Sequence, residues 1–503
     1  MTIILSTLNA RYAHASLGLR YLLANMGELQ DQTRLQEFVI GARTTDIVEK
    51  LLALQPRIIG FGVYIWNVEE TTRVVAMLKQ VAPQIVIVLG GPEVSHESGE
   101  QAIVQAADYL ITGWGEVSFP KLCRAILDGP QPLMKIHAGL QPPLDEITLP
   151  YALYSEHDLK HRILYVEASR GCPFKCEFCL SALDKTAWPF DLERFLAALE
   201  GLHARGARLF KFVDRTFNLN IKTSLRIMQF FLDKIAADPQ DPVFAHFELV
   251  PDHLPDALKA GIAQFPPGAL QFEIGIQSFN PEVQALVSRR QDNQKAADNI
   301  RWLVEHSHAH MHVDLIAGLP GEDMESFAAG FDQLYALQPH EIQFGILKRL
   351  RGTPIIRHTA PFRLVFDAQP PYTILATDRI DFATMQRLVR FARYWDLIAN
   401  SGRFARTLPL ILEHSPFARF MDLSDWIYAQ TDATHRIALE RLAALVEEWL
   451  LEQGQDREMV TATVASDYAG QANKPHYKPK AAKAAAKLAE HAAPQRQARH
   501  LAA

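Results

Sequence analysis

Residues 171–179 read G-C-P-F-K-C-E-F-C, and three of the chain's four cysteines, Cys172, Cys176 and Cys179, fall inside them. The spacing is C-x3-C-x2-C. A closed structural zinc site pairs one C-x2-C with a second ligand pair, and an electron-transfer iron–sulfur cluster takes four thiolates. The remaining cysteine, Cys123, belongs to a different stretch of the pattern. Three thiolates without a fourth nearby fit a cubane cluster with one iron left open, where a small molecule can chelate and react. A zinc knuckle or a chance triad is the competing reading, and the surrounding pattern weighs against both.

Working outward, R-I-L-Y-V-E-A (162–168) precedes the triad as a strand. Five more strand candidates follow: R-L-F-K-F-V-D (208–214), V-F-A-H-F-E-L-V (243–250), L-Q-F-E-I-G-I (270–276), M-H-V-D-L-I-A-G (311–318) and E-I-Q-F-G-I-L (341–347). Helix-sized segments separate most of them. The pattern predicts a partial parallel (β/α)6 barrel of TIM type over 161–352, with its chemistry at the carboxyl ends of the strands. Polar residues stand at or near those ends: Asp214, Glu248, Gln277 and Asp314.

Upstream, residues 1–128 also alternate strands and helices, but the strand runs are continuously apolar, as in R-I-I-G-F-G-V-Y-I-W and Q-I-V-I-V-L-G-G-P-E. Such runs predict a parallel sheet covered on both faces, hence a doubly wound, Rossmann-like domain. Gly60, Gly62, Gly90, Gly91, Gly113 and Gly115 fall in or at the ends of these runs, where an open α/β sheet binds its ligand. A Pro-rich stretch within 129–160 reads as a linker. Residues 353–470 are mainly helical in pattern, and 471–503 form an Ala/Lys-rich tail too poor in large apolar side chains to fold on its own. The tail's lysines read as solvated rather than as a nucleic-acid contact.

The chain has 503 residues, 48% apolar and 21% charged, with a formal net charge of −6. This composition is that of a folded protein with no global pull toward nucleic acid. No apolar run is long enough to span a bilayer and the start lacks an export signal, so a cytoplasmic location without a membrane partner is expected. The run E-H-S-H-A-H-M-H (305–312) alternates four histidines. They could line one face of a strand and hold a metal, but the run is read as a helix end and loop, because no carboxylate partner is fixed nearby in sequence. Cys123 is read as a small buried side chain.

C-x3-C-x-aromatic-C after a first barrel strand resembles the hallmark of radical S-adenosylmethionine (SAM) enzymes. The resemblance implies a [4Fe-4S] cluster on Cys172, Cys176 and Cys179, with SAM on the open iron and Phe178 near the adenine. G-I-Q-S-F-N-P-E-V-Q-A-L-V-S-R-R-Q (275–291) is similar to the coproporphyrinogen dehydrogenase-like branch. It implies that Gln277 and Arg289 touch SAM. V-D-L-I-A-G-L-P-G-E (313–322) points to Asp314 for the ribose, and H-F-E-L-V-P (246–251) to Glu248 as a SAM-binding acid. Phe212-Val213-Asp214 stands where relatives carry a glycine-rich segment.

The first domain resembles the cobalamin-binding module of cobalamin-dependent radical SAM enzymes, through G-F-G-V-Y-I-W-N (60–67) and L-G-G-P-E-V (89–94). That likeness implies that Tyr64, Gly90, Gly91 and Gly113 border cobalamin. Asn9, Arg11 and His14 are placed next to the same crevice at the end of the first strand. The D-x-H-x-x-G motif that supplies a cobalt-ligating histidine is absent, as is common in this branch. The C-terminal region resembles a domain of unknown function attached to some members.

What the family likeness implies is an oxygen-sensitive enzyme. An external donor such as flavodoxin or ferredoxin reduces the cluster, SAM yields a 5′-deoxyadenosyl radical, and a methyl group passes from methylcobalamin to an unreactive carbon. Oxidative cyclisation or rearrangement is the alternative reaction, and a non-catalytic cobalamin or SAM sensor the alternative class. The cysteine count excludes methylthiotransferases and other relatives that need a second cluster.

Overall fold

The computed structural model describes residues 2–184, 186–472 and 497. The chain divides into two compact units, one of residues 1–214 with 349–354 and 367–372, the other of residues 215–348, 355–366 and onward from 373. Nearly all of the stretch read as a disordered tail lies outside the described residues. Among the described residues, no helix is long and apolar enough to cross a membrane.

The first unit opens with six strands: β1 (Ile3–Asn9), β2 (Thr33–Val39), β3 (Ile58–Gly62), β4 (Val86–Gly90), β5 (Tyr109–Thr112) and β6 (Ile136–Ala138). They form one parallel sheet in the order β2-β1-β3-β4-β5-β6. The apolar runs follow from its two covered faces. Ile4, Leu8, Ile59, Phe61, Ile87 and Leu89 pack on one side with Ile47, Val74 and Leu78. Ile3, Leu5, Ile58 and Val88 pack on the other with Leu19, Phe119 and Cys123. Burial pushes the Cys123 thiol up to about 12, so it is inert core. The stretch read as a linker adds β6, whose residues pair with Leu110, Ile111 and Thr112. Edge strands need little apolar surface, which is why neither β6 nor the polar β2 announces itself in the sequence.

The same unit continues with β7 (Leu164–Val166), β8 (Ser169–Arg170), β9 (Trp188–Pro189) and β10 (Leu209–Phe212). β7 and β10 pair in parallel, while β8 and β9 pair antiparallel and close the cysteine loop at its base.

The second unit carries β11 (Phe244–Leu249), β12 (Leu270–Gln277), β13 (His310–Ala317) and β14 (Glu341–Ile346), parallel neighbours in that order. Phe344 on β14 packs with Phe391, and Phe331 packs with Phe391 and Trp395, at centroid distances of 4.8–5.2 Å. Phe391 and Trp395 belong to the helix Phe382–Ile398, so an aromatic core joins the C-terminal helices to the last βα unit. One expectation is corrected here. His306 ends a helix, His308 lies in the loop after it and His312 is on the predicted strand, but His310 also belongs to β13, where Glu341 of β14 pairs with His312. A carboxylate partner does exist, and cross-strand register rather than sequence proximity supplies it.

Candidate functional site

In the first unit the glycines at the carboxyl ends of the strands open a crevice. A cavity of about 430 Å³ is lined by Gly62, Tyr64, Gly90, Gly91, Gly113 and Trp114, among others. Gly91 shows why a side chain is not tolerated. Its φ is +109°, and a Cβ there would meet the Val63 carbonyl oxygen at 2.5 Å. The cavity also takes Gly171, Ser181 and Asp184 of the cysteine loop into its wall. Asn9, Arg11 and His14 are not in that lining. The Asn9 amide donates to the His14 carbonyl and to Glu37, His14 Nδ1 lies 2.6 Å from the Tyr165 hydroxyl, and Arg11 is exposed.

Arg170 stands between crevice and triad, and the sequence reading passed over it. Its Nη1 donates to Glu116 at 2.6 Å and its Nε to Glu167 at 2.8 Å, while its guanidinium lies over the Tyr21 and Trp114 rings at 4.4 and 4.8 Å. All five residues line the cavity. Burial opposes the charge, but Glu167 and Glu116 hold the guanidinium protonated more firmly than usual. The signal was available in G-W-G-E (113–116) and S-R-G-C (169–172): a charged residue beside each glycine turn.

The cysteine loop is held at both ends. Cys172 N–H donates to the Asp184 carbonyl at 3.3 Å and Cys179 N–H to the Cys176 carbonyl at 3.1 Å. Cys172 and Cys176 are buried, and Cys179 and Phe178 are half-buried. Gly171 has φ +88° and approaches Thr186 too closely for any side chain. Before the loop, Asp214 accepts from Ala168 N–H at 2.9 Å and Ser169 Oγ–H at 2.6 Å, and burial raises its carboxyl to about 7. Three thiols converge on one loop and Cys123 is locked in the core, a donor set that fits a cluster with one open iron.

In the second unit, Gln277, Arg289 and Asp314 come together around Gly275. Asp314 pairs in register with Gly275, and Arg289 Nη2 donates to the Gly275 carbonyl. Gln277 ends β12 at φ +70° after a register shift, and among the described residues its buried Oε1 has no hydrogen-bond partner. A residue in this backbone conformation with an unmet acceptor has a hydrogen-bonding group to offer a ligand. Glu248 lies near the end of β11, 2.7 Å from Arg215.

Three family models match the chain in succession: a B12 binding domain over residues 4–123, the radical SAM superfamily over 166–334, and a protein of unknown function, DUF4080, over 360–500. The chain is a B12-binding radical SAM protein. This B12-binding radical SAM protein is 27% identical over 371 residues to an uncharacterized methyltransferase, PH0819, of Pyrococcus horikoshii, spanning 67% of this chain and 76% of the relative. It is 26% identical over 331 residues to the cobalamin-dependent radical SAM methyltransferase TokK of Streptomyces tokunonensis, spanning 57% of this chain and 46% of that one. The fold matches that of OxsB, a cobalamin-dependent SAM radical enzyme solved with aqua-cobalamin and SAM. The TM-score is 0.62 at 14% identity, over 97% of this chain and 83% of OxsB.

Proposed function

We propose that this enzyme transfers a methyl group to an unactivated carbon, using a [4Fe-4S] cluster, SAM and cobalamin. One observation carries the reading: the crevice that would take cobalamin shares a wall with the cysteine loop, through Arg170, Gly171, Ser181 and Asp184. The relatives named as methyltransferases support it. When bound, the cluster and SAM supply a 5′-deoxyadenosyl radical and cobalamin supplies the methyl group.

The chain's own residues do the rest. Cys172, Cys176 and Cys179 would hold the cluster as thiolates, with Phe178 beside the adenine. Gln277 and Arg289 offer an amide and a guanidinium to SAM, and Asp314 and Glu248 offer carboxylates to its hydroxyl and ammonium groups. The backbone at Gly90, Gly91 and Gly113, with Tyr64, admits the cobalamin tail. Arg170 neutralises Glu116 and Glu167 in the crevice, and the Trp114, Tyr21 and Tyr64 rings exclude water from it. A flavodoxin or ferredoxin of the cytoplasm is the proposed electron donor.

Anaerobic reconstitution with iron, sulfide and hydroxocobalamin, followed by desalting and metal analysis, tests the proposal. The expected content is about four irons and about one cobalt per chain. With a strong reductant and methyl-labelled SAM, label should enter a small molecule of an anaerobic cell extract as 5′-deoxyadenosine accumulates. Iron without cobalt would overturn methyl transfer by this route.

A further inference from the structure

The concave layers of a TIM-type barrel are ordinarily filled by bulky branched apolar side chains. In the second unit the register aligns polar groups across one face of the sheet instead. His246, Gln271 and His310 are neighbours across β11, β12 and β13, and Glu248, Glu273, His312 and Glu341 across β11 to β14.

From this arrangement we infer a second metal site, for a divalent transition-metal ion of the zinc class, formed by His310, His312 and Glu341. One ligand atom from each lies within 4.8 Å of the others. His312 Nε2 is 3.4 Å from Glu341 Oε1, the separation of two ligands about 2.0–2.1 Å from a tetrahedral ion. The His310 and His312 rings are 5.0 Å apart, two residues along one strand and therefore on one face. Two imidazoles and a carboxylate are three of the four ligands zinc takes in catalytic sites.

The fourth position has somewhere to face. His312 and Glu341 line a cavity of about 520 Å³ whose far wall is Arg393, Asp396, Asn400 and His435 of the C-terminal helical region. It gives an ion an entry path and room for water or an anionic ligand. Gln343 Nε2 lies 2.8 Å from His312 Nδ1. With that amide turned so its oxygen accepts from Nδ1–H, the Nε2 lone pair is presented to the ion, as second-shell partners of zinc histidines do.

The site is tested on cluster-loaded holoenzyme, so that the cysteines are occupied. Holoenzyme is incubated with zinc chloride, desalted, and analysed for zinc and iron together. The expected result is about one zinc per chain, falling at least tenfold in His312→Ala and Glu341→Gln while iron stays constant. X-ray absorption at the zinc edge of the unaltered holoenzyme should show a shell of nitrogen and oxygen at about 2.0–2.1 Å and no sulfur. Three results would overturn the site: no zinc retained, zinc equally retained by the variants, or a sulfur shell at about 2.3 Å. The absorption spectrum decides the matter even if the variants lose iron and fold poorly.

Discussion

Asp214 is a buried carboxyl at the foot of the cysteine loop, and its ionisation couples that loop to pH. Burial raises it to about 7, against the two hydrogen bonds from Ala168 and Ser169 that favour the anion. The ordinary value is 3.8. Between the two, the folded protein keeps a proton that the unfolded chain has lost. Stability from this group is therefore complete at low pH and declines as pH rises toward 7, by up to roughly 4 kcal/mol. The melting temperature of the unaltered chain should fall between about pH 4 and pH 7, and Asp214→Asn should flatten the slope. An identical slope in the variant would show that Asp214 is ionised throughout. Glu322, raised to about 7 by burial with added repulsion from Asp323, contributes in the same direction in both proteins and cancels in the comparison.

Turns between elements, rather than side chains, shape the crevice. Gly91→Ala combines a φ of +109° with a Cβ pressed against the Val63 backbone, so it should lower stability by about 2–4 kcal/mol. It should also cut retained cobalt at least tenfold. Gly41→Ala is the control: φ is +84°, but nothing lies within 4 Å of the new Cβ. It should cost only about 1 kcal/mol and leave cobalt unchanged. Equal cobalt loss in both would refer the effect to general unfolding.

Element scale also marks where the sequence could be read. Cys172, Cys176 and Cys179 are legible because one loop supplies all three ligands. The strands of the first sheet are legible because β1, β3 and β4 are apolar on both faces. β12 and β13 stand out through alternation, and the alternation itself hides something: the polar residues between the apolar ones face a buried interior. Glu341 is 29 residues from His312, and only parallel register makes them neighbours. Arg170 was missed for a similar reason, since Glu116 lies 54 residues upstream.

At the scale of the whole molecule, the sequence boundary near 353 runs through residues that belong to the first compact unit. Glu93, 3% exposed, accepts from Tyr372 at 2.6 Å and Arg351 at 2.8 Å, and Glu97 pairs with Arg349 at 2.6 Å. A chain ending at residue 348 would lack Tyr372 and Arg351 and so lose both of these hydrogen bonds to Glu93, each worth about 1.5–3 kcal/mol. Residues 1–348 should unfold at a lower temperature than the full chain and retain less cobalt. Glu93→Gln should lower the melting temperature of the full chain and leave that of the short one nearly unchanged. A short chain as stable as the full one would count against the returning segments as part of the first unit.

Asn400 shows how the sheet of the second unit can stop at its last strand. Its side-chain amide accepts from Ile342 N–H at 3.1 Å and donates to the Ile342 carbonyl at 2.9 Å, on the outer edge of β14. An amide side chain offers the same donor and acceptor as a peptide bond, so one residue impersonates the strand that does not follow. At Ile342 the edge of β14 is thus met by mimicry rather than by a further strand. At that position the last strand is denied a place to recruit a stranger.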